Sequence, residues 1–333
     1  MIVSLLQRTD PQREARVADD PTTATGPRPD DAPVEGADRP PVCTLCGGGA
    51  VEVVFPPGKA QLHRIVRCEG CGLMYAHPLP DPDIEKIAEM NRDRETYSYI
   101  RQDHLRLAKE KLQVLDFRNT RRELAAAFPE RGRLLEVGCG LGYLLADMRE
   151  DGWDVVGVEP LVEAAEYARE DLKVDVRPTI LEEAAFPEAS FDAVVMLHVI
   201  EHVPDPLGSV REIARVLKPG GLFVCETPRY DSMMFRLLRH RERSVSCDGH
   251  IFFFTERTLA DAGRRAGLEL LKRRRVGRTL TLERLAWNLG VMAKSKRLQR
   301  MLQRGTRRLG LDQVRLHLNV RDAMRLTFRK PPA

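Results

Sequence analysis

Residues 134–145 read LLEVGCGLGYLL, and no other stretch of the chain restricts its fold so tightly. An apolar run of strand formers ends at Val137. Glycines then recur at Gly138, Gly140 and Gly142, and a new apolar pattern opens at Tyr143. This is a strand, a sharp turn and a helix start, with backbone that lacks Cβ atoms and so can approach a ligand at the helix N-terminus. Glu136 stands at the strand end, where a carboxylate suits a cationic or hydroxylated ligand better than a phosphate. Taken alone, such a loop serves a dinucleotide site equally well.

The downstream pattern narrows the choice. A second strand, DVVGVEP at 154–160, ends in Glu159, an acid about twenty residues past the glycine loop, where it can take both hydroxyls of a ribose. SFDAVVMLHVIEHVPDP at 190–206 and RVLKPGGLFVCETP at 215–228 follow in order. Over residues 96–333 the chain resembles the class I S-adenosylmethionine-dependent methyltransferases, in particular the small-molecule O-methyltransferase branch. That resemblance implies S-adenosylmethionine as cofactor. Glu136, Gly138, Gly140, Gly142 and Tyr143 would lie at its methionine end and Glu159 at its ribose. Leu181 would line the adenine and His198 would close the site. Many members carry an aspartate near position 180, whereas this chain reads Thr179-Ile180-Leu181. The resemblance also implies the fold class: an α/β, Rossmann-like, seven-stranded and mostly parallel sheet with helices on both faces.

The element pattern agrees. Strands are expected at 133–137, 154–158, 173–177, 191–197, 221–226, 268–275 and 322–329. Helical spacing covers 102–128, 143–151, 161–171, 206–217 and 256–266. Residues 1–41 are rich in Asp, Pro, Arg, Thr and Gly and poor in large apolar side chains, the composition of a disordered tail. No run approaches the roughly 18 apolar residues of a bilayer span. The opening MIVSLLQRTD lacks the basic region and length of a secretory signal. A cytoplasmic protein is the expectation.

Four of the seven cysteines form two CxxC pairs, Cys43 with Cys46 and Cys68 with Cys71, each pair followed by glycine. Between them VEVVF and LHRIV flank a Pro-Pro-Gly turn. Two such knuckles on a β-hairpin have the spacing of a zinc ribbon, expected at 42–80, and four sulfurs leave no open position, so the zinc would be structural. Cys139, Cys225 and Cys247 are scattered and read as packed small residues.

Methyl transfer onto oxygen requires a placed nucleophile and removal of its proton. His198, Glu201 and His202 follow the fourth strand as HVIEH, a spacing that shares one face of a helical turn, and His250 comes later in DGHIFFFT. This resembles the arrangement of ubiquinone-pathway O-methyltransferases and small-RNA 2′-O-methyltransferases, in which Glu and His side chains hold a divalent metal. The resemblance implies Glu201, His202 and His250 as ligands, with His198 where those enzymes often carry Glu. Three readings stay open: a catalytic metal, metal-free base catalysis by His202 or His250, and a purely structural turn.

Charge is divided along the chain. From Arg264 onward there are 20 Lys or Arg against 4 Asp or Glu, leaving the first 263 residues with 33 against 45. Within 280–315, Leu285, Leu289, Met292, Met301 and Leu302 recur at near-helical spacing among Lys294, Lys296, Arg297, Arg300, Arg304, Arg307 and Arg308. Such a basic amphipathic insertion suits an anionic membrane surface, nucleic acid phosphates or a solvated cover over the cleft. Two function classes therefore compete. One is an O-methyltransferase acting on a hydroxylated small molecule, such as a sugar, phenol or lipid-linked intermediate. The ribbon ending in CGLMYAHPLP also resembles that of bacterial methyltransferases of polysaccharide and secondary-metabolite pathways. The other class is an RNA-binding protein or RNA ribose methyltransferase that uses the ribbon and the basic end. The Asn/Asp-Pro-Pro-Tyr/Phe tetrad of base N-methylation is absent after the fourth strand.

Overall fold

The computed structural model describes residues 41–61, 63–79, 112–242, 244–245, 249–283, 285–286, 289, 295–311 and 314–332. The expected tail up to residue 40, residues 102–111 of the first expected helix, Cys247, Met292 and Lys294 lie outside them. Three short strands open the described chain: β1 (Val51–Phe55), β2 (Arg64–Cys68) and β3 (Met74–His77). The α/β part then runs α1 (Leu112–Ala127), β4 (Arg133–Val137), α2 (Tyr143–Glu150), β5 (Asp154–Val158), α3 (Val162–Glu170), β6 (Asp175–Arg177), β7 (Phe191–Leu197), α4 (Pro206–Val216) and β8 (Leu217–Pro228). After these come α5 (Met233–Leu238), β9 (Phe252–Phe253), α6 (Glu256–Arg265), β10 (Glu269–Thr281), α7 (Lys296–Arg308) and β11 (Arg315–Arg329).

The large sheet has the order β10-β11-β8-β7-β4-β5-β6. Its pairs from β6 to β8 are parallel, and β11 is antiparallel to both its neighbours. Helices cover both faces, which explains why β4, β5 and β7 are nearly continuous apolar runs rather than alternating ones. From β4 the chain winds one way through β5 and β6, and β7 and β8 lie on the other side. The carboxyl ends of β4 and β7 therefore meet at the switch point where such sheets bind ligands.

Local signals explain the helix starts. Asp205 caps α4 by accepting from Gly208 N at 2.9 Å, with Pro206 in the first turn. Thr255 and Thr258 exchange hydrogen bonds in a capping box at the head of α6. Within the expected 280–315 insertion the described residues include α7, and its ends belong to two long strands. The strands β10 and β11 continue as a two-stranded ribbon, with pairs as far out as Thr281 and Arg315.

The small sheet has the order β1-β2-β3-β9, so its fourth strand comes from the segment that follows the β8 region. Met74 pairs with Phe253 and Tyr75 with Phe252. One face carries Val66, Cys68, Tyr75 and Phe252 into the same core as Met196, Ile200, Phe223 and Phe328. The other face carries Met74 and Phe253 into a second cluster with Phe55, Tyr230 and Val245. The cysteine-bearing hairpin is thereby packed into the main body by two faces. Among the described residues no helix is long and apolar enough to cross a membrane.

Candidate active site

The glycine loop behaves as its spacing predicts. Gly138, Gly140 and Gly142 all have left-handed φ values, 68°, 52° and 79°. At Gly138 the requirement is also one of space, since an added Cβ would stand 2.4 Å from Cγ2 of Val199. Val199 belongs to the HVIEH turn, so the two motifs after β4 and β7 touch each other at the switch point. Gly142 is the N-cap of α2, and Tyr143 begins that helix with its hydroxyl 3.0 Å from that of Tyr167.

Two carboxylates flank the loop. Glu136 is buried, and its Oε2 has no hydrogen-bond partner among the described residues. Burial, with the nearby charge of Glu159, raises its pKa well above the ordinary carboxylate range. A buried carboxylate oxygen without a donor is a feature that calls for a ligand. Glu159 is tied to the loop: its Oε2 accepts from Gly140 N at 2.8 Å and its Oε1 from Leu161 N at 3.0 Å. Each oxygen keeps a second lone pair. Leu181 lies fully inside the hydrophobic core, while Glu182 next to it accepts from Ser209 Oγ.

HVIEH forms an irregular turn, not the expected helical one. His198 ends β7 with φ 56°, a conformation that histidine tolerates better than most residues. Its backbone N donates to Glu226 O. The partly exposed imidazole stands between two carboxylates, Nδ1 at 3.6 Å from Glu201 and Nε2 at 3.3 Å from Glu226. Burial opposes its protonation, but the two carboxylates outweigh it and raise the pKa to about 9. Glu226 in turn accepts two hydrogen bonds from the buried Arg325, at 2.9 and 2.7 Å. Despite burial, His198 and Arg325 hold Glu226 down at about 2. Glu226 and Arg325 carry no motif. The available signal is a glutamate closing the apolar run LFVCE at the carboxyl end of a strand.

Glu201, His202 and His250 are brought together, with candidate ligand atoms all within 4.8 Å of one another. Glu201 is fully buried. Its Oε2 accepts from Thr227 Oγ1 at 2.9 Å, and its Oε1 has no hydrogen-bond partner. Burial works against its ionisation, yet His198 and the charges of His202 and His250 keep the pKa below the ordinary value. The two imidazoles meet edge to face at 4.6 Å. His202 Nδ1 lies 2.6 Å from Gly249 O, and a carbonyl only accepts, so Nδ1 donates there and Nε2 is the ring nitrogen left to face a ligand. His250 Nδ1 meets the Tyr230 hydroxyl at 3.2 Å. Burial, aided by His202, lowers the His250 pKa to about 4, which keeps that ring neutral near pH 7.

Residues from the small sheet hold the His250 segment. Gln61 Nε2 donates to His250 O at 3.1 Å, and Ala76 N to Ile251 O at 2.8 Å. The Glu201 carbonyl accepts from both Ile251 N and Phe252 N. Behind them Cys43, Cys46, Cys68 and Cys71 converge, with 3.5 Å from Cys43 to Cys71 and from Cys46 to Cys68 between sulfurs. That is far from a disulfide of about 2.05 Å. It is near the ~3.8 Å edge of a tetrahedron whose metal–sulfur bonds are ~2.3 Å. The four cysteines could bind a metal.

Comparison with known proteins places the chain in a family. A family model described as a methyltransferase domain matches residues 98–273. A ubiquinone biosynthesis O-methyltransferase of Cereibacter sphaeroides (strain ATCC 17025 / ATH 2.4.3) is 36% identical over 165 residues, 46% of this chain and 67% of that protein. Its counterpart in Ruegeria pomeroyi is 35% identical over 165 residues, 46% of this chain and 66% of that protein. Among solved structures, a methyltransferase of Thermotoga maritima described as a possible histamine N-methyltransferase covers 70% of this chain and 96% of its own, at 21% identity and a TM-score of 0.46.

Proposed function

The chain belongs to the methyltransferase-domain family and is an S-adenosylmethionine-dependent methyltransferase, and from that premise we propose that it methylates a hydroxyl oxygen of a small molecule. The observation that carries this reading is the convergence of Glu201, His202 and His250 beside the glycine loop. The names of the relatives at 36% and 35% identity favour oxygen as the acceptor atom.

The cofactor's α-ammonium group answers the unmatched Glu136 Oε2, with the backbone of Gly138, Gly140 and Gly142 close along its methionine part. The spare lone pairs of Glu159 serve the ribose hydroxyls. The protonated His198 closes the site electrostatically, its charge held by Glu201 and Glu226. Leu181, being in the core, shapes the adenine end through its backbone.

The donor set of Glu201, His202 and His250 fits a divalent ion. Glu201 Oε1 is buried with no hydrogen-bond partner, His198 Nδ1 standing 3.6 Å off, while His250 is neutral and both histidines have Nδ1 engaged, the outer support that metal-bound imidazoles usually show. Two nitrogens and one carboxylate favour a transition metal or zinc over Mg²⁺. When bound, such an ion supplies Lewis-acid polarisation of the acceptor hydroxyl. The His202 Nε2 left to face a ligand supports a second reading, in which His202 accepts the hydroxyl proton itself. The four cysteines hold a structural zinc that sets the hairpin beside His250.

The test uses the purified full chain and labelled S-adenosylmethionine against sugar nucleotides, phenols, catechols and RNA. Label in a hydroxylated small molecule is the expected result, and label confined to RNA or to nitrogen overturns the reading. Brief chelation that leaves the circular dichroism intact should abolish activity, with restoration on add-back, if the ion is catalytic. Insensitivity excludes the ion, and a loss of turnover in His202→Ala with cofactor binding intact then assigns the proton to His202.

A further inference from the structure

Beyond the methyl-transfer site, a cavity of about 320 Å³ opens between the small sheet and α5. Met74, Tyr230 and Phe235 give it apolar walls, and Arg67, Arg236 and Arg239 are among the residues that line it. Arg67 is paired with Glu52 at 3.2 Å. Asp231 also lines the cavity, but its charge is met by Arg229 at 2.5 Å. Among the described residues, Arg236 and Arg239 have no carboxylate partner. The cavity therefore carries uncompensated positive charge against apolar surface.

Arg239 supplies an independent observation. Its backbone has φ 49° and ψ −120°, a region that a side chain with a Cβ rarely occupies. Such strain persists where the surroundings demand it and concentrates at ligand-holding sites. Its guanidinium carbon stands 5.9 Å from the centroid of the Phe55 ring, whose neighbour Val54 lines the cavity. Tyr230 links the cavity to the reaction centre, since its ring forms part of the wall while its hydroxyl meets His250 Nδ1.

We propose that this cavity binds an organic anion, an aromatic or aliphatic body bearing a phosphate or carboxylate. The body rests on Met74, Tyr230 and Phe235, and Arg236 and Arg239 take the anionic group. Binding needs no turnover, so the proposal stands or falls apart from the methyl-transfer reading.

The probe is 1-naphthyl phosphate, followed by its fluorescence on titration with the full metal-loaded chain. One saturable site is expected, with 1-naphthol bound at least about tenfold more weakly, as fits the loss of charge-assisted hydrogen bonds. Arg236→Gln and Arg239→Gln should each weaken the ester about tenfold. S-adenosylmethionine affinity should stay unchanged in both. Arg297→Gln, on the basic helix α7, should bind as the parent does. Arg239→Gly should lose the ester while its melting temperature holds or rises, because glycine relieves the φ of 49°. The proposal is overturned if naphthol binds as well as the ester, or if the Arg236 and Arg239 variants bind like the parent. Equal weakening by Arg297→Gln overturns it too, because the attraction would then be diffuse.

Discussion

Glu226→Gln tests the electrostatic frame of the site with the least change in shape. Glu226 is bonded twice by the buried Arg325 and stands 3.3 Å from His198. Its carboxyl is held from an ordinary 4.5 down to about 2. At 1.36 kcal/mol for each pKa unit, this amounts to about 3 kcal/mol in favour of the ionised folded form. The value is depressed, so the stabilisation is present above pH 4.5 and is lost as pH falls towards 2. Linkage reduces it from about 3 kcal/mol at pH 7 to roughly half of that at pH 3. The amide keeps an acceptor for Arg325 but leaves its charge unmatched, so urea unfolding should show Glu226→Gln about 2–3 kcal/mol less stable at pH 7. The gap should narrow through the acid range. His198 runs with the opposite sign: its raised pKa stabilises fully below 6.5, and that part is lost as pH rises through about 9. Because its side chain is 40% exposed, solvent screening makes this contribution the smaller one. In Glu226→Gln the His198 ring proton resonance should titrate below 9. Parallel stability curves for parent and variant, or a His198 pKa left at 9, would refute the linked Glu201–His198–Glu226–Arg325 chain.

Two further outcomes follow from the geometry. Glu159→Ala removes an acceptor for Gly140 N and Leu161 N as well as the ribose contact. Calorimetry should show S-adenosylmethionine affinity reduced by about 1.5–3 kcal/mol, and unchanged affinity would exclude Glu159 from the cofactor site. Gln61→Ala removes the donor to His250 O and should destabilise the protein by about 1–3 kcal/mol. Turnover should fall while cofactor affinity holds, and retained turnover would separate the hairpin from the chemistry.

The central strands were legible because burial on two faces writes them as unbroken apolar runs. β4, β5 and β7 have the expected bounds. β6 starts at Asp175 and not at 173, since Lys173 has φ 56° and cannot sit in an extended strand. The outer halves of β10 and β11 do carry a short alternation, Leu316, Leu318 and Val320 against His317 and Asn319, but it borders the helical spacing of the basic insertion, which obscures it. At the candidate site the residues in motifs were visible: Glu136, the glycines, Glu159 and HVIEH. Gln61, Tyr230 and Arg325 were not. The separations are 189 residues for Gln61 with His250, 99 for Arg325 with Glu226 and 20 for Tyr230 with His250, and a single polar residue in an ordinary strand or loop announces no such partner.

The hairpin's place in the fold gives four clustered cysteines a reason to adjoin this domain. His250 sits in a segment with few regular hydrogen bonds of its own, since β9 is only two residues long. That segment is fixed from two sides, by the Glu201 carbonyl on Ile251 and Phe252 and by Gln61, Ala76 and β3 of the hairpin. A hairpin of this size has too little core to be rigid alone, and four sulfurs gathered on one metal would supply the missing free energy. The same cysteines lie in the core shared with Ile251 and Phe252. Loss of the metal should therefore loosen His250 before it disturbs the glycine loop, which is built on β4, α2 and β5 and meets the HVIEH turn through Val199. Slow chelation would then remove methyl transfer while S-adenosylmethionine still binds. Simultaneous loss of both would show instead that the hairpin and the sheet fold as one cooperative unit.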